Sequence, residues 1–208
     1  MNIGIITSYI IAGIILISLL MMNMRVSTSS AEITLTQITR EKTLAITEML
    51  YYDIPNMGYN QFEKTPQVIT IADSSKIQFY RKIDRFSSGD PELITWELTD
   101  TPVSETPNPN DKILVRTVDN GSVEEVTEMR QGVTRFRLYY FDEHGLSSLP
   151  SDGQYMSTPI TGALRDSVKQ VYIALELQSA EPLRVNSNNS RYIRSAWEKR
   201  FSPNNLEN

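Results

Sequence analysis

The sequence predicts an α+β protein in which one long N-terminal helix packs on an antiparallel β-sheet. Three observations predict this class. Ile3–Met22 is a run of twenty residues without a charge, and Arg25–Tyr52 contains neither proline nor glycine. Residues 67–178 then change to the two-residue alternation that is typical of strands. We therefore expect a long helix over residues 1–54 and a β-rich globular domain over residues 55–208.

The apolar run Ile3–Met22 has the length of a membrane-spanning helix. About twenty residues, at ~1.5 Å each, cross a hydrocarbon core ~30 Å thick. We expect a transmembrane segment over about residues 3–24, retained as an anchor, because the run is too long for a secretory signal and lacks a preceding basic residue. The nearby Arg25 favours a cytoplasmic C-terminus, but one charge does not fix the orientation.

Small residues within the apolar run give the helix a surface on which a second helix can pack. In lipid, helices associate through close backbone approach and interhelical hydrogen bonds, because lipid tails are as apolar as the side chains. We therefore expect Ala12, Gly13 and Ser18 to contact other membrane helices.

A second apolar pattern occupies the part of the helix beyond the membrane segment. Its members recur every three or four residues and so share one helix face. This predicted stripe consists of Ala31, Leu35, Ile38, Ala45 and Met49, with Lys42 as a charged interruption. We expect it to pack on the sheet or on a neighbouring helix. Pro55 predicts that the helix ends at Asp53 or Ile54, after about 75 Å.

The β-rich domain is predicted from alternating segments separated by turn residues. Ser87–Pro91 and Asn120-Gly121 predict hairpin turns, and the three prolines of Thr101–Asp111 predict an exposed loop. Tyr192–Trp197 fits either a strand or a turn of helix. The predicted strands are 67–72, 76–83, 92–98, 112–118, 123–126, 133–140 and 167–178.

The strand that begins at Val133 predicts two different faces. Phe136, Leu138 and Tyr140 alternate with a second set of side chains, and we expect the apolar set to face the core. The outward set consists of Arg135, Arg137 and Tyr139. Because Tyr and Arg are favoured in protein interfaces, these three residues form a candidate interface. An ordinary solvent-exposed sheet face is the alternative.

The composition argues against several kinds of chemistry. The chain has no cysteine, which excludes disulfides and thiolate metal sites, and its net charge of −5 gives no support to nucleic-acid binding. The single histidine, His144, lies in a predicted turn, and no metalloprotease, nucleotide-binding or hydrolase motif is present. We therefore expect no enzymatic activity, no cofactor and no small-molecule substrate.

Two groups of loop carboxylates could hold calcium, because oxygen-rich loops bind that ion. The first group is Asp142 with Glu143, and the second is Asp100 with Glu105 and Asp111. Neither has the spacing of an EF-hand, so solvated loop carboxylates are the simpler interpretation.

Four short stretches, taken in order, carry a family resemblance. Arg40–Tyr59 ends the long helix with a leucine, an aspartate and a Gly-Tyr pair, and Lys76–Tyr80 follows as a strand. Gln131–Gly145 reads as a strand and turn with the pattern Gly-Val, aromatic, Tyr, Asp, Gly. Phe201–Leu206 closes the chain. Together they resemble type IV pilin-like proteins, closest to minor pilins and to the J-type minor pseudopilins of type II secretion.

The resemblance implies a bacterial, single-pass membrane protein whose globular domain lies in the periplasm or outside the cell. It also implies a structural role in an extracytoplasmic filament or secretion assembly, with other pilin-like or membrane subunits as hetero-oligomeric partners. Tyr9 stands where these families have a glutamate, so we expect assembly to depend on packing at Gly13 and on the β-domain. The alternative is a bitopic accessory protein whose β-domain is a binding module of another membrane complex.

Overall fold

Helix α1 (Ile3–Asp53) is continuous over 51 residues and ends where Pro55 predicts. The computed structural model describes residues 3–59, 67–82, 91–186 and 189–206 of the chain. It combines this helix with a curled antiparallel sheet, which confirms the α+β class. Ile83 and most of the turn predicted at 87–91 lie outside the described residues.

The N-terminal half of α1 is exposed. No residue of its apolar run Ile3–Met22 is buried against the described part of the chain. By length and composition this helix could span a membrane. The C-terminal half packs on the sheet, so one helix belongs to two environments.

The face of α1 that packs on the sheet is rich in threonine. Thr39, Thr43, Ile46 and Leu50 are buried at spacings of four, three and four residues. The Thr43 hydroxyl donates a hydrogen bond to the Thr39 carbonyl oxygen at 2.8 Å, and Thr39 bonds Leu35 in the same way at 2.7 Å. Because the helix backbone satisfies these hydroxyls, the threonine methyl groups can face the sheet at little polar cost.

The predicted stripe is rotated about the helix axis by one residue, or roughly 100°, from this buried face. Ala31, Ile38 and Ala45 are exposed, and 43% of Ile38 is accessible, so of the two surfaces expected for them the sheet is not the one on which they pack. Leu35 and Met49 are half-buried at its border. The apolar pattern did not reveal the buried face because that face contains threonines, whose hydroxyls the helix backbone masks. Packing of Ala31, Ile38 and Ala45 on a neighbouring helix stays a prediction.

The strands of the described residues are β1 (Ile69–Ala72), β2 (Lys76–Arg81), β3 (Glu92–Pro102), β4 (Lys112–Asp119), β5 (Glu124–Phe141), β6 (Gln170–Gln178), β7 (Leu183–Asn186), β8 (Asn189–Arg191) and β9 (Arg194–Phe201). Seven of them form the main sheet in the order β1-β2-β3-β4-β5-β6-β9, and every neighbouring pair is antiparallel. A separate hairpin pairs β7 with β8 beside α1.

Strand β5 joins two segments that the sequence predicts as separate strands. Its first half pairs with β4 and its second half pairs with β6. The change of partner occurs at Gly132, where φ is +92° and the pairing with β4 is irregular. A bulge at this glycine bends the strand without ending it. The expectation that a new strand opens at Gly132 is therefore wrong.

The segment between β3 and β4 is also more ordered than predicted. β3 extends to Pro102, and Val103, Asn108 and Asp111 are buried, so the exposed-loop prediction for 101–111 holds only in part. The Asn108 amide donates to the carbonyl oxygen of Ser179 and to the side chain of Gln178, each at 3.2 Å. These bonds tie the segment to the end of β6.

The sheet curls so that its concave face and α1 enclose one core. Trp96, Phe136 and Tyr140 are among its largest members, and Ile46 and Leu50 of the helix belong to the same cluster of buried side chains. The strands predicted to alternate do so: Phe136, Leu138 and Tyr140 are no more than 1% exposed, whereas Arg135 and Arg137 are exposed. The interface candidates therefore lie on the convex face, opposite the helix.

Candidate functional site

The end of α1 is fixed to the sheet by a buried ionic cluster, the Asp53 cluster, formed by Asp53, Arg81, Arg116 and Trp96. The Arg81 Nη1 atom lies 2.5 Å from Asp53 Oδ1. Arg116 donates from Nε and Nη2 to the two carboxylate oxygens at 2.6 and 2.9 Å, and the Trp96 indole donates at 2.9 Å. Three strands thus hold one carboxylate on the last residue of the helix.

Burial makes this cluster sensitive to the loss of any member. Asp53 is 0% exposed and Arg81 is 3% exposed, so neither charge has water as an alternative partner. The hydrogen bond to Asp53 is the largest cause of a raised pKa at Arg116, which keeps the guanidinium charged. Removing one partner of a buried pair leaves the other charge uncompensated. The cluster therefore sets the position of the helix end on the sheet.

Sequence reasoning did not identify this cluster as a site. A signal was present, because Arg81 follows Ile77 and Phe79 on the apolar face of β2. A charge on a core-facing position requires a buried partner. The family resemblance draws attention to Asp53, but pairing it with Arg116 requires the strand register that only folding supplies.

A second candidate site is a polar groove on the convex face of the sheet, here called the β5 groove. It has a volume of about 750 Å³ and lies where β5 leaves β4 and crosses to β6. Its walls include Ser75, Asp100, Lys112, Arg135, Arg137 and Glu176. Two of the three predicted interface residues therefore line one groove, and Tyr139 lies next to it on β5.

Asp111 closes one end of the β5 groove. It is fully buried; its Oδ2 accepts a hydrogen bond from Thr106 at 2.6 Å, and its Oδ1 has no partner among the described residues. Burial raises the pKa of Asp111 above its ordinary value of 3.8, against the opposing effects of the Thr106 bond and the Lys42 charge.

Tyrosines continue the convex face beyond the groove. The Tyr139 ring packs edge-on against Tyr155 and Tyr172, at centroid distances of 5.1 and 6.2 Å. The Tyr172 hydroxyl donates to Glu198 at 2.5 Å, and this bond raises the pKa of Tyr172 to about 12. Rigid tyrosines beside arginines are common at protein interfaces.

The residues of the apolar run that we expect to pack on other helices are accessible in the single chain. Ala12 and Ser18 are exposed, and a side chain added at Gly13 would meet nothing within 4 Å. The Ser18 hydroxyl donates to the Ile14 carbonyl oxygen at 2.9 Å, so its own helix already satisfies it. Their contact with other helices stays a prediction.

Two of the carboxylates considered for calcium are ion-paired with basic side chains. Asp100 pairs with Lys112 at 2.8 Å, and Glu105 pairs with Arg130 at 2.5 Å. Over residues 3–59, 67–82, 91–186 and 189–206, no three acidic or histidine side chains form a group that could hold a metal ion.

The turn predicted at His144 is present. Asp142 accepts backbone hydrogen bonds from His144 and Gly145, each at 3.0 Å, and the imidazole is 82% exposed. The Glu143 side chain is exposed in the same turn. This arrangement positions backbone amides and leaves the imidazole in solvent.

Comparisons with known proteins add no identification. No protein-family model matches the chain, and neither a curated protein nor a solved structure matches it.

Proposed function

We propose that the chain is a membrane-anchored, non-enzymatic structural subunit of a pilin-like assembly, of the minor pilin or pseudopilin type. The globular domain would lie outside the cytoplasmic membrane. The observation that supports this proposal best is the unbroken helix α1, whose exposed apolar half leads directly into a half that shares the core of the sheet.

Rigid coupling favours a structural subunit over a tethered binding module. A module that only has to reach a partner is commonly joined to its anchor by a flexible linker. Here no proline or glycine interrupts Arg25–Tyr52, and the Asp53 cluster fixes the helix end. The position of the membrane segment therefore dictates the position of the sheet, as a repeating assembly requires.

Apolar side chains on α1 outside the membrane segment give further support. Ile38, Ala45 and Tyr52 recur every seven residues, close to two helical turns, and all three are exposed. Ile33 and Leu44, with accessible fractions of 65% and 59%, are also exposed, on the other flank of the buried face. A helix with unburied apolar stripes is suited to packing against other helices.

Site-specific photo-crosslinking in native membranes tests the proposal. A photoreactive residue at Ile38 should crosslink to other single-helix membrane chains, whereas the same residue at the buried Ile46 should yield no intermolecular product. Mass spectrometry of the products identifies the partners. If Ile38 yields no product while Arg137 crosslinks to a multispanning membrane enzyme or transporter, the accessory-module alternative replaces this proposal.

A further inference from the structure

Within the described part of the chain, some charged side chains of the β5 groove have an ion-pair partner and others do not. The Lys112 Nζ atom lies 2.8 Å from Asp100 Oδ1, and the Arg194 Nε atom lies 3.7 Å from Glu176 Oε1. Arg135 and Arg137 are exposed, and neither has an ion-pair or hydrogen-bond partner in the described part of the chain. Glu176 stands opposite Arg135 on β6 but is not ion-paired with it.

The same groove runs along a backbone edge of β5. Met156 donates its backbone hydrogen bond to Tyr140 O and Leu138 donates to Ser74 O, both at 2.9 Å and both on the side away from β6. Polar backbone groups of alternate residues point to the same edge of a strand. The N–H and C=O of Phe136 therefore face the groove that Phe136 lines.

From these two features we infer that the β5 groove binds an extended acidic segment of a partner protein. The segment would lie extended beside residues 134–137 of β5 and pair with the backbone groups of Phe136, with carboxylates opposite Arg135 and Arg137. Side chains two residues apart on an extended chain share one face, at a spacing of roughly 7 Å, which matches two arginines at alternate positions. Arg binds carboxylates through two parallel hydrogen bonds, so each pairing is specific.

The charge of the whole chain favours a short acidic segment over an extended polyanion. The net charge is −5, so a nucleic acid or an anionic membrane surface would be repelled beyond the groove. Within the groove, Asp100 and Glu176 are already ion-paired with Lys112 and Arg194, so a few added carboxylates would find Arg135 and Arg137 as their cationic partners. The occupant would be a partner of the proposed subunit, and in that sense the proposal rests on the function above.

Binding of short labelled peptides to the full-length protein in nanodiscs of zwitterionic lipid tests the proposal. The first probe is Thr-Glu-Thr-Glu-Thr, with both carboxylates on one face. The second is Thr-Glu-Glu-Thr-Thr, which has the same composition but directs them to opposite faces. A third replaces both Glu by Gln. We expect the first peptide to bind about tenfold more tightly than either control, and added salt to weaken its binding.

Two matched double variants show whether the groove is the binding site. Arg135→Gln/Arg137→Gln should reduce the affinity for the first peptide to that of the Gln peptide. Arg40→Gln/Arg184→Gln removes two exposed arginines elsewhere and should leave the affinity within about twofold, because distant exposed charges are screened. Equal melting curves of the two variants exclude a folding defect.

Several results would overturn the proposal. Equal binding of the two Glu peptides, or unchanged binding by the groove variant, would exclude a strand-like site. Vesicles of phosphatidylglycerol that displace the peptide and bind through the same arginines would assign the groove to a lipid headgroup instead. Because crosslinking at Ile38 does not involve the groove, failure of peptide binding and failure of the proposed function are separable.

Discussion

Asp53 shows how one side chain can set the geometry of the junction between helix and sheet. Its two carboxylate oxygens accept hydrogen bonds from Arg81, Arg116 and Trp96, each on a different strand. Such a cluster does not have to increase stability relative to an apolar core of the same shape. Its effect is positional, because any other placement of the helix end leaves buried charges unpaired.

Replacing Asp53 by Asn should lower the free energy of unfolding by about 3–5 kcal/mol, because the buried Arg81 would keep only Glu92, whose side chain is partly exposed, as an anionic partner. Urea denaturation of the full-length protein in detergent, followed by far-UV circular dichroism, measures the change. Asp100→Asn is the matched control, since Asp100 pairs with Lys112 in solvent, and it should have little effect. Equal losses of unfolding free energy in the two variants would show that the buried Asp53 cluster contributes no more to stability than an exposed ion pair does.

Asp111 should make stability depend on pH in the direction opposite to that of a salt-bridged carboxylate. Its pKa is raised by burial, so the folded state holds the proton to a higher pH than the unfolded state does. The stability that this group contributes is therefore lost as pH rises from about 4 through the folded-state pKa. Asp111→Asn mimics the neutral form.

We expect Asp111→Asn to be most stabilising relative to the wild type near neutral pH and least so near pH 4. Urea denaturation of both proteins at several pH values between about 4 and 7 measures the difference in their free energies of unfolding. The contributions of the other titrating groups cancel in this difference, because both proteins contain them. A difference that shrinks as pH rises would mean that a nearby cation, such as Lys42, outweighs desolvation.

At the scale of the element, α1 packs through a face that mixes threonine with isoleucine and leucine. The buried face and the predicted stripe differ by about one residue, or roughly 100° of rotation. Ile46 is 1% exposed, whereas Ile38 is 43% exposed, so the two isoleucines form a matched pair.

Ile46→Ala should lower the free energy of unfolding by about 2–5 kcal/mol, the usual cost of such a truncation in a packed core. Ile38→Ala should change it by no more than about 0.5 kcal/mol in the isolated chain. Thermal denaturation in detergent distinguishes the two. If Ile38→Ala lowered the stability as much as Ile46→Ala, the predicted stripe, and not the buried face that contains Thr39 and Thr43, would pack on the sheet.

The bulge at which β5 changes its pairing partner from β4 to β6 depends on the glycine at position 132. A Cβ atom at residue 132 would lie 2.2 Å from the carbonyl oxygen of Gln178. Gly121 provides a comparison, since its φ of +81° is similar but a Cβ there would meet nothing within 4 Å.

Gly121→Ala should cost about 1–2 kcal/mol from backbone strain alone. Gly132→Ala should cost about 1–3 kcal/mol more, because β6 must move to admit the methyl group. Urea denaturation of both variants measures the two costs, and comparable losses would mean that the contact with Gln178 relaxes freely.

At the scale of the whole molecule, the chain joins an exposed apolar helix to a sheet with two distinct surfaces. The concave surface is buried in the core, and the convex surface carries the β5 groove and the tyrosines. For the assembly proposed above, the chain therefore offers two separate surfaces: the exposed apolar half of α1 and the convex face of the sheet.

Gly13→Leu should weaken co-purification with other membrane subunits while the sheet stays folded. In lipid, association depends on close packing, and a leucine at this position holds a neighbouring helix away. Quantitative mass spectrometry of affinity-purified complexes measures the loss, and the near-isosteric Ile15→Leu is the control. Recovery of the same partners in the same amounts from Gly13→Leu would show that this glycine does not lie in a helix interface.

The sequence by itself determined the periodic features of this protein. The apolar run, the helix end at Asp53 and the inward set Phe136, Leu138 and Tyr140 follow from hydropathy, proline sterics and strand alternation. These are local rules, so neighbouring residues are enough to apply them. The outward position of Arg135 and Arg137 follows from the same alternation.

Only the tertiary structure decided which residues meet across the fold. Asp53 lies 63 residues from Arg116, and the β5 groove depends on where β5 changes its partner. Whether a threonine is buried depends on whether its hydroxyl finds the helix backbone and its methyl finds the sheet, as at Thr43. Such contacts depend on strand register and long-range packing, which a local pattern of residues does not encode.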